Sequence, residues 1–165
     1  MDAVRRRAAI SLFATAVLVW IVDRLTKRWA QGSLPGHPVD IIKGVLTFRY
    51  ATNQGGAFSL GSSAPLVFAG ATLIICGVIV VTSLRHTRVL PAVALGLVLG
   101  GGIGNLTDRL LRGPRLTGRV VDFVDLHVWP IFNLADSAIV VGAVLLALTS
   151  WRRDRSASQE AVDGA

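Results

Sequence analysis

The sequence predicts an all-α, multi-pass membrane protein: four transmembrane helices, with a small extracytoplasmic β-sheet between the first and second. Three observations lead there. Hydrophobic residues make up 52% of the chain and the mean hydropathy is +0.59, too apolar for an ordinary soluble domain. Four apolar runs approach the roughly 20 residues that cross about 30 Å of hydrocarbon. The 165 residues leave room for one membrane domain, residues 1–153, followed by a polar tail at 154–165 that reads as disordered and cytoplasmic.

The first span runs from about Ala8 to Leu25, behind Arg5, Arg6 and Arg7. It has the outline of a secretory signal, but Asp23, Arg24 and Lys27 stand where a small-residue cleavage site would be, so it reads as retained. The connection from Thr26 to Ala64 contains VDIIKGVLTF at Val39–Phe48, whose β-branched and aromatic residues with glycine breaks predict short strands. Gly55 and Gly56 permit a tight turn beside Asn53. A second span, about Pro65 to Leu84, meets a third, about Val89 to Leu106, across only Arg85, His86, Thr87 and Arg88, which predicts a tight antiparallel pair. The lone cysteine, Cys76, reads as a buried thiol.

Gly96, Gly100, Gly101, Gly102 and Gly104 thin the third span so that another helix, in the chain or in a substrate, can pack closely. GGGIGN is no nucleotide loop: it lacks a preceding strand, the dinucleotide spacing and a following Lys-Ser/Thr. A second long connection, Thr107 to Pro130, leads to a fourth span at about Ile131 to Trp151.

Four crossings put both termini on one side and both long connections on the other. Lys and Arg divide eight against nine, but the eight hug span ends, where the positive-inside rule has its force, so the termini are expected in the cytoplasm. Topology accounts for the net charge of +7 without a nucleic-acid partner.

Acids on the outer side carry the chemistry, because ionisable groups at a bilayer are costly. Asn105, Asp108 and Arg109 share one helical face, Asn133 and Asp136 repeat the three-residue spacing, and Asp122 lies between them in VVDF. Two carboxylates in a poorly hydrated pocket share one proton and suit an aspartic hydrolase. A proton relay or transporter and a purely structural role stay open on this ground. Arg109 is placed to fix Asp108, Asp23 to pair with Lys27, and Asp125 to be solvated. His37, His86 and His127 are scattered over both faces and no HExxH occurs, which disfavours zinc; Ser137 has no evident base. No metal or organic cofactor is expected.

DRLTK at Asp23–Lys27, NQGGAF at Asn53–Phe58, GNLTDR at Gly104–Arg109, VVDF at Val120–Phe123 and FNLADS at Phe132–Ser137 together resemble the lipoprotein signal peptidase (signal peptidase II) family. The resemblance implies an aspartic endopeptidase of the bacterial inner membrane that removes signal peptides from prolipoproteins, cutting before a diacylglyceryl-modified cysteine. By position, Asp122 and Asp136 match its catalytic pair. Asp23, Lys27, Asn53, Gly55, Asn105, Asp108, Arg109, Asn133 and Ala135 match supporting residues. The stretches LLRGPRLTGR and LHVWP read as a variable region over the site.

Overall fold

The computed structural model describes residues 3–53, 65–85 and 87–163. Its elements run α1 (Ala3–Ser33), β1 (Val39–Ile42), β2 (Leu46–Asn53), α2 (Pro65–Thr82), α3 (Val89–Leu111), β3 (Val120–Asp125) and α4 (Leu134–Asp163). Single turns of 3-10 helix follow α2 at Ser83–Arg85 and α3 at Pro114–Leu116. Three helices are long and apolar enough to cross a membrane: Ala3–Ser33, Val89–Leu111 and Leu134–Trp151. The apolar part of α2, Leu66–Thr82, is shorter.

Three helices outrun their expected ends. No breaker stops α1 at Thr26, so it continues to Ser33, placing Asp23, Lys27 and Gln31 one turn apart along one stripe. Likewise α3 runs on to Leu111 and carries Asp108 and Arg109 in its last turns. The last helix continues through Asp163, across the stretch whose polar composition reads as a disordered tail.

α3 is the centre of the bundle and touches the other three helices. Its glycines make this possible. A Cβ at Gly96 or Gly100 would sit 2.5 Å from the carbonyl oxygens of Leu12 and Ala16 on α1. One at Gly101 would strike the Ala135 carbonyl on α4, and one at Gly102 would come 2.8 Å from Cys76 Sγ on α2. The glycine stripe is therefore filled by the protein's own helices, which removes it as a docking face for a substrate helix. The interior is correspondingly small-residue: Ala8, Leu12, Ala16, Cys76, Ile79, Ala92 and Leu99 form the core.

The sheet is antiparallel in the order β1-β2-β3. Its third strand comes from the connection between α3 and α4, so the sheet is not confined to the segment between the first two helices. VVDFV has the β-branched and aromatic content of a strand, but its central Asp hides that signal. One face of β3 presses Val121 and Phe123 onto Ala30 and Leu34 at the end of α1. Trp29, Phe48 and Phe123 meet edge-to-face there, with ring centroids 5.8–6.2 Å apart. Strand alternation turns Asp122 to the opposite face.

Gly100→Ala forces α1 and α3 apart and is expected to lower stability in detergent by about 1–3 kcal/mol. Gly70→Ala, at a helical glycine with nothing within 4 Å of its would-be Cβ, is expected to be neutral or to stabilise by up to about 1 kcal/mol. Thermal unfolding of the two variants checks the pair.

Candidate active site

A cluster of polar side chains forms where the ends of α1 and α3, the start of α4 and strand β3 converge. The largest of those fully buried is Lys27, on α1. Its Nζ lies 2.9 Å from Asp23 Oδ2 and 3.2 Å from Asp108 Oδ2, and donates to Asn105 Oδ1 at 2.9 Å. Both carboxylates are themselves fully buried. Asp23 also accepts the amide of Ala135 at 3.2 Å, tying α1 to the first turn of α4. Ala135 and Gly104 must be small for this approach, since a Cβ at Gly104 would lie 2.6 Å from Asp23 Oδ2.

Asp108 gathers cations from two helices. Arg24 and Arg112 pair with its Oδ1, Arg112 at 3.3 Å, and Arg112 also reaches Gln31 Oε1 at 2.8 Å. The second oxygen of Asp108 accepts the amide of Val121 at 3.2 Å, which anchors β3 one residue before Asp122. The expected pairing of Asp108 with its neighbour Arg109 is replaced: the ion pairs of Asp108 are with Arg24, Lys27 and Arg112. Successive helical residues point about 100° apart, and Arg109 turns instead toward the Gly118 carbonyl, 3.5 Å away, within electrostatic range of Asp122 and Asp136. Sequence reasoning passed over Arg24 and Arg112, although the four-residue spacing of Asp108 and Arg112 is a visible signal.

The N-terminus of α4 holds the two remaining acids together. Asn133 caps the helix, accepting the Asp136 amide on Oδ1 at 3.0 Å, while Asp136 Oδ2 accepts the Asn133 amide at 3.3 Å. This reciprocal arrangement is a capping box in which Asn and Asp take the usual places of Ser and Glu. The Asn133 side-chain amide then donates to Asp122 Oδ1 at 2.6 Å and more weakly to Asn105 Oδ1 at 3.3 Å. Asn105 donates to Asp136 Oδ1 at 2.8 Å. On the sheet, β2 pairs Ala51 with Asp122, which makes Asn53 the diagonal neighbour on the same face, and its side chain bonds Asp122. Gly55 lies outside the described residues.

Asp122 is 2% exposed. Burial, and after it the neighbouring Asp136 carboxyl, push its pKa from the usual carboxylate range up to about 7, against the donors Asn133 and Asn53. Asp125, expected to be solvated, is instead buried and paired with Arg49 at 2.5 Å, with His127 beside it. Among the described residues, no group of three or more His, Cys, Asp or Glu is arranged to hold a metal ion. A cavity of about 340 Å³, lined by Leu126, Trp129, Phe132, Val140 and Val141, opens beside Asp136 and Ser137.

Two carboxyl groups from different elements are thus both bonded by Asn133, one by its side-chain amide and one by its backbone amide, in a pocket nearly closed to water. The family model for signal peptidase (SPase) II matches residues 15–152. A lipoprotein signal peptidase of Streptomyces coelicolor is 42% identical over 153 residues, spanning 90% of this chain and 73% of its own length. One from Syntrophomonas wolfei is 41% identical over 134 residues, spanning 80% of this chain and 87% of that protein. A bacterial membrane enzyme solved by the in meso method at 2.3 Å superposes with a TM-score of 0.76 at 30% identity, covering 86% of this chain and 87% of that one. With a family match over most of its length and relatives this similar, the chain belongs to the signal peptidase II family.

Proposed function

We propose that this protein is an aspartic endopeptidase of the bacterial inner membrane that removes signal peptides from prolipoproteins, with Asp122 and Asp136 as its catalytic pair. Family membership supports the peptidase and its prolipoprotein substrates. The observation that carries the catalytic assignment is the Asn133 amide: it donates to Asp122 while its own helix cap holds Asp136. No other pair of described acids is joined by a neutral group. Asp23 and Asp108 are bound to a cation, as is Asp125.

In this reading the pair shares one proton. The ionised carboxylate takes a proton from a water as its oxygen attacks the scissile carbonyl carbon; the protonated one donates to the carbonyl oxygen as charge develops there. Collapse of the tetrahedral intermediate breaks the C–N bond, and the leaving amine, that of a diacylglyceryl-modified cysteine, takes up the proton first drawn from water. Asn53, Asn105 and Asn133 orient the carboxyls, Arg109 balances their charge, and the cluster around Lys27 fixes the helix ends that carry them. The chain crosses the membrane four times, α2 by a run at the short end of the spanning range. Both termini are cytoplasmic and the pair works at the outer surface, within reach of a substrate anchored to the membrane by its acyl chains. A proton-coupled transporter is disfavoured because the buried acids gather at one level of the bundle instead of marking a path through it.

Asp122→Asn and Asp136→Asn are each expected to reduce cleavage of a diacylglyceryl prolipoprotein by at least about 10³-fold, since each removes a proton acceptor and donor from the pair. Full activity in either variant excludes that residue. Asp122→Asn should also unfold at a higher temperature than the parent at neutral pH. The folded state holds the Asp122 proton up to about pH 7, so stability falls as pH rises from the unfolded carboxylate range toward that value, and Asn abolishes the loss.

The same titration sets the alkaline side of the pH profile. Turnover should decline above about pH 7 as the pair loses its remaining proton, and an initial-rate series in detergent measures it. Lys27→Met leaves Asp23 and Asp108 buried without their shared ammonium and is expected to cost about 3–5 kcal/mol. Adding Asp23→Asn should recover part of that loss in the same unfolding assay.

A further inference from the structure

Between β3 and α4 the chain leaves the sheet at Asp125 and rejoins it at Phe132. The Phe132 carbonyl accepts the amides of Phe123 and Val124 at 3.0 and 2.9 Å, and its own amide donates to the Val124 carbonyl at 3.1 Å. The loop closed in this way carries Leu126 and Trp129, which form one wall of the cavity beside Asp136; Val140 and Val141 on α4 form the other. Among the described residues the lining is almost wholly apolar, with Asp136 and Ser137 as its charged and hydroxyl members. Such a space binds hydrocarbon by removing it from water or from a disordered chain end.

One residue ties this loop to the sheet. His127 adopts φ +60°, a conformation costing a non-glycine residue about 1–2 kcal/mol. Two contacts offset that cost. Its backbone amide donates to Asp125 Oδ1 at 2.8 Å, and its Nε2 lies 3.0 Å from Thr47 Oγ1 on β2. The Thr47 hydroxyl has a single proton and gives it to Asp40 Oδ1 at 2.6 Å, so the ring Nε2–H is the donor to Thr47. Arg49 holds Asp125 from the far side. The next turn, Val128 N–H to the Leu126 carbonyl at 2.7 Å, then sets the direction in which Trp129 leaves the loop.

We propose that His127 is a positioning residue: it latches the loop between Asp125 and Phe132 to the sheet, fixing the wall of an apolar subsite beside Asp136 that receives a hydrocarbon group of the substrate next to the scissile bond. The proposal rests on the peptidase reading above and adds a specificity element to it. Two parts of a lipid-modified precursor carry such a group, an acyl chain on the cysteine and an apolar side chain just before the cut.

The test compares the full-length parent with His127→Ala, His127→Gln, Thr47→Val and the His127→Ala/Thr47→Val double variant. Steady-state cleavage is measured on three precursors: the native lipidated one, one with shortened acyl chains, and one with the apolar residues before the cut replaced by alanine. His127→Ala and Thr47→Val should each raise KM for the native precursor by about fivefold, the effect of one ordinary hydrogen bond, with kcat reduced less than about twofold. The double variant should be no worse than the single ones, because both act through one bond. His127→Gln, which restores a donor, should recover most of the loss. The precursor whose KM no longer responds to the latch variants identifies the occupant. A parental KM in both single variants, or additive losses in the double variant, overturns the latch. Turnover that survives Asp122→Asn overturns instead the catalytic role of Asp122, and absence of cleavage by the parent overturns the peptidase assignment on which the proposal rests.

Discussion

A fully buried ammonium group is the constraint from which the rest of this structure follows. Lys27 sits among helices of an apolar bundle, where an isolated charge is held only at a cost of several kcal/mol. It is tolerable because Asp23, Asp108 and Asn105 converge on it from two helices. Each of these three groups also holds something else. Asp23 grips the first turn of α4, Asp108 grips β3, and Asn105 grips Asp136. Removing the ammonium therefore loosens every element that delivers a candidate catalytic group.

Such a hub separates two kinds of acid within one small volume. Asp23 and Asp108 are compensated by cations and serve as fixed struts. Asp122 and Asp136 meet neutral amides, and Asn133 joins them, its side-chain amide donating to Asp122 and its backbone amide to Asp136. Burial, and after it the neighbouring Asp136 carboxyl, lift the Asp122 carboxyl to about 7, where a proton can move at physiological pH. The same residue type thus performs opposite tasks, and the difference lies in its immediate partners.

Much of this was legible in the sequence, for identifiable reasons. Apolar runs announced the helices, and the three-residue spacings at Asn105–Asp108 and Asn133–Asp136 announced paired groups at helix ends. What escaped has a common cause. Strand β3 was missed because a buried Asp interrupts an otherwise apolar segment, and only a partner strand and a helix cap explain an acid there. Arg24 and the pairing of Arg109 were missed because contacts between elements depend on rotation about each helix axis, which spacing within one helix does not fix; Arg112, four residues after Asp108 on the same helix, was legible and passed over. Asp125 looked solvated because its partner Arg49 lies 76 residues away, on another strand.

The glycines of α3 face three neighbours at once: Gly96 and Gly100 toward α1, Gly101 toward α4, Gly102 toward α2. A helix keyed on several sides cannot be assembled slightly wrong. Turning it by a single residue, about 100°, would swing Leu95 and Leu99 in one sense, or Leu97 and Ile103 in the other, into the slots the neighbouring helices now fill. Intermediate arrangements are thereby excluded during insertion and folding, and the chain reaches one register or fails to close.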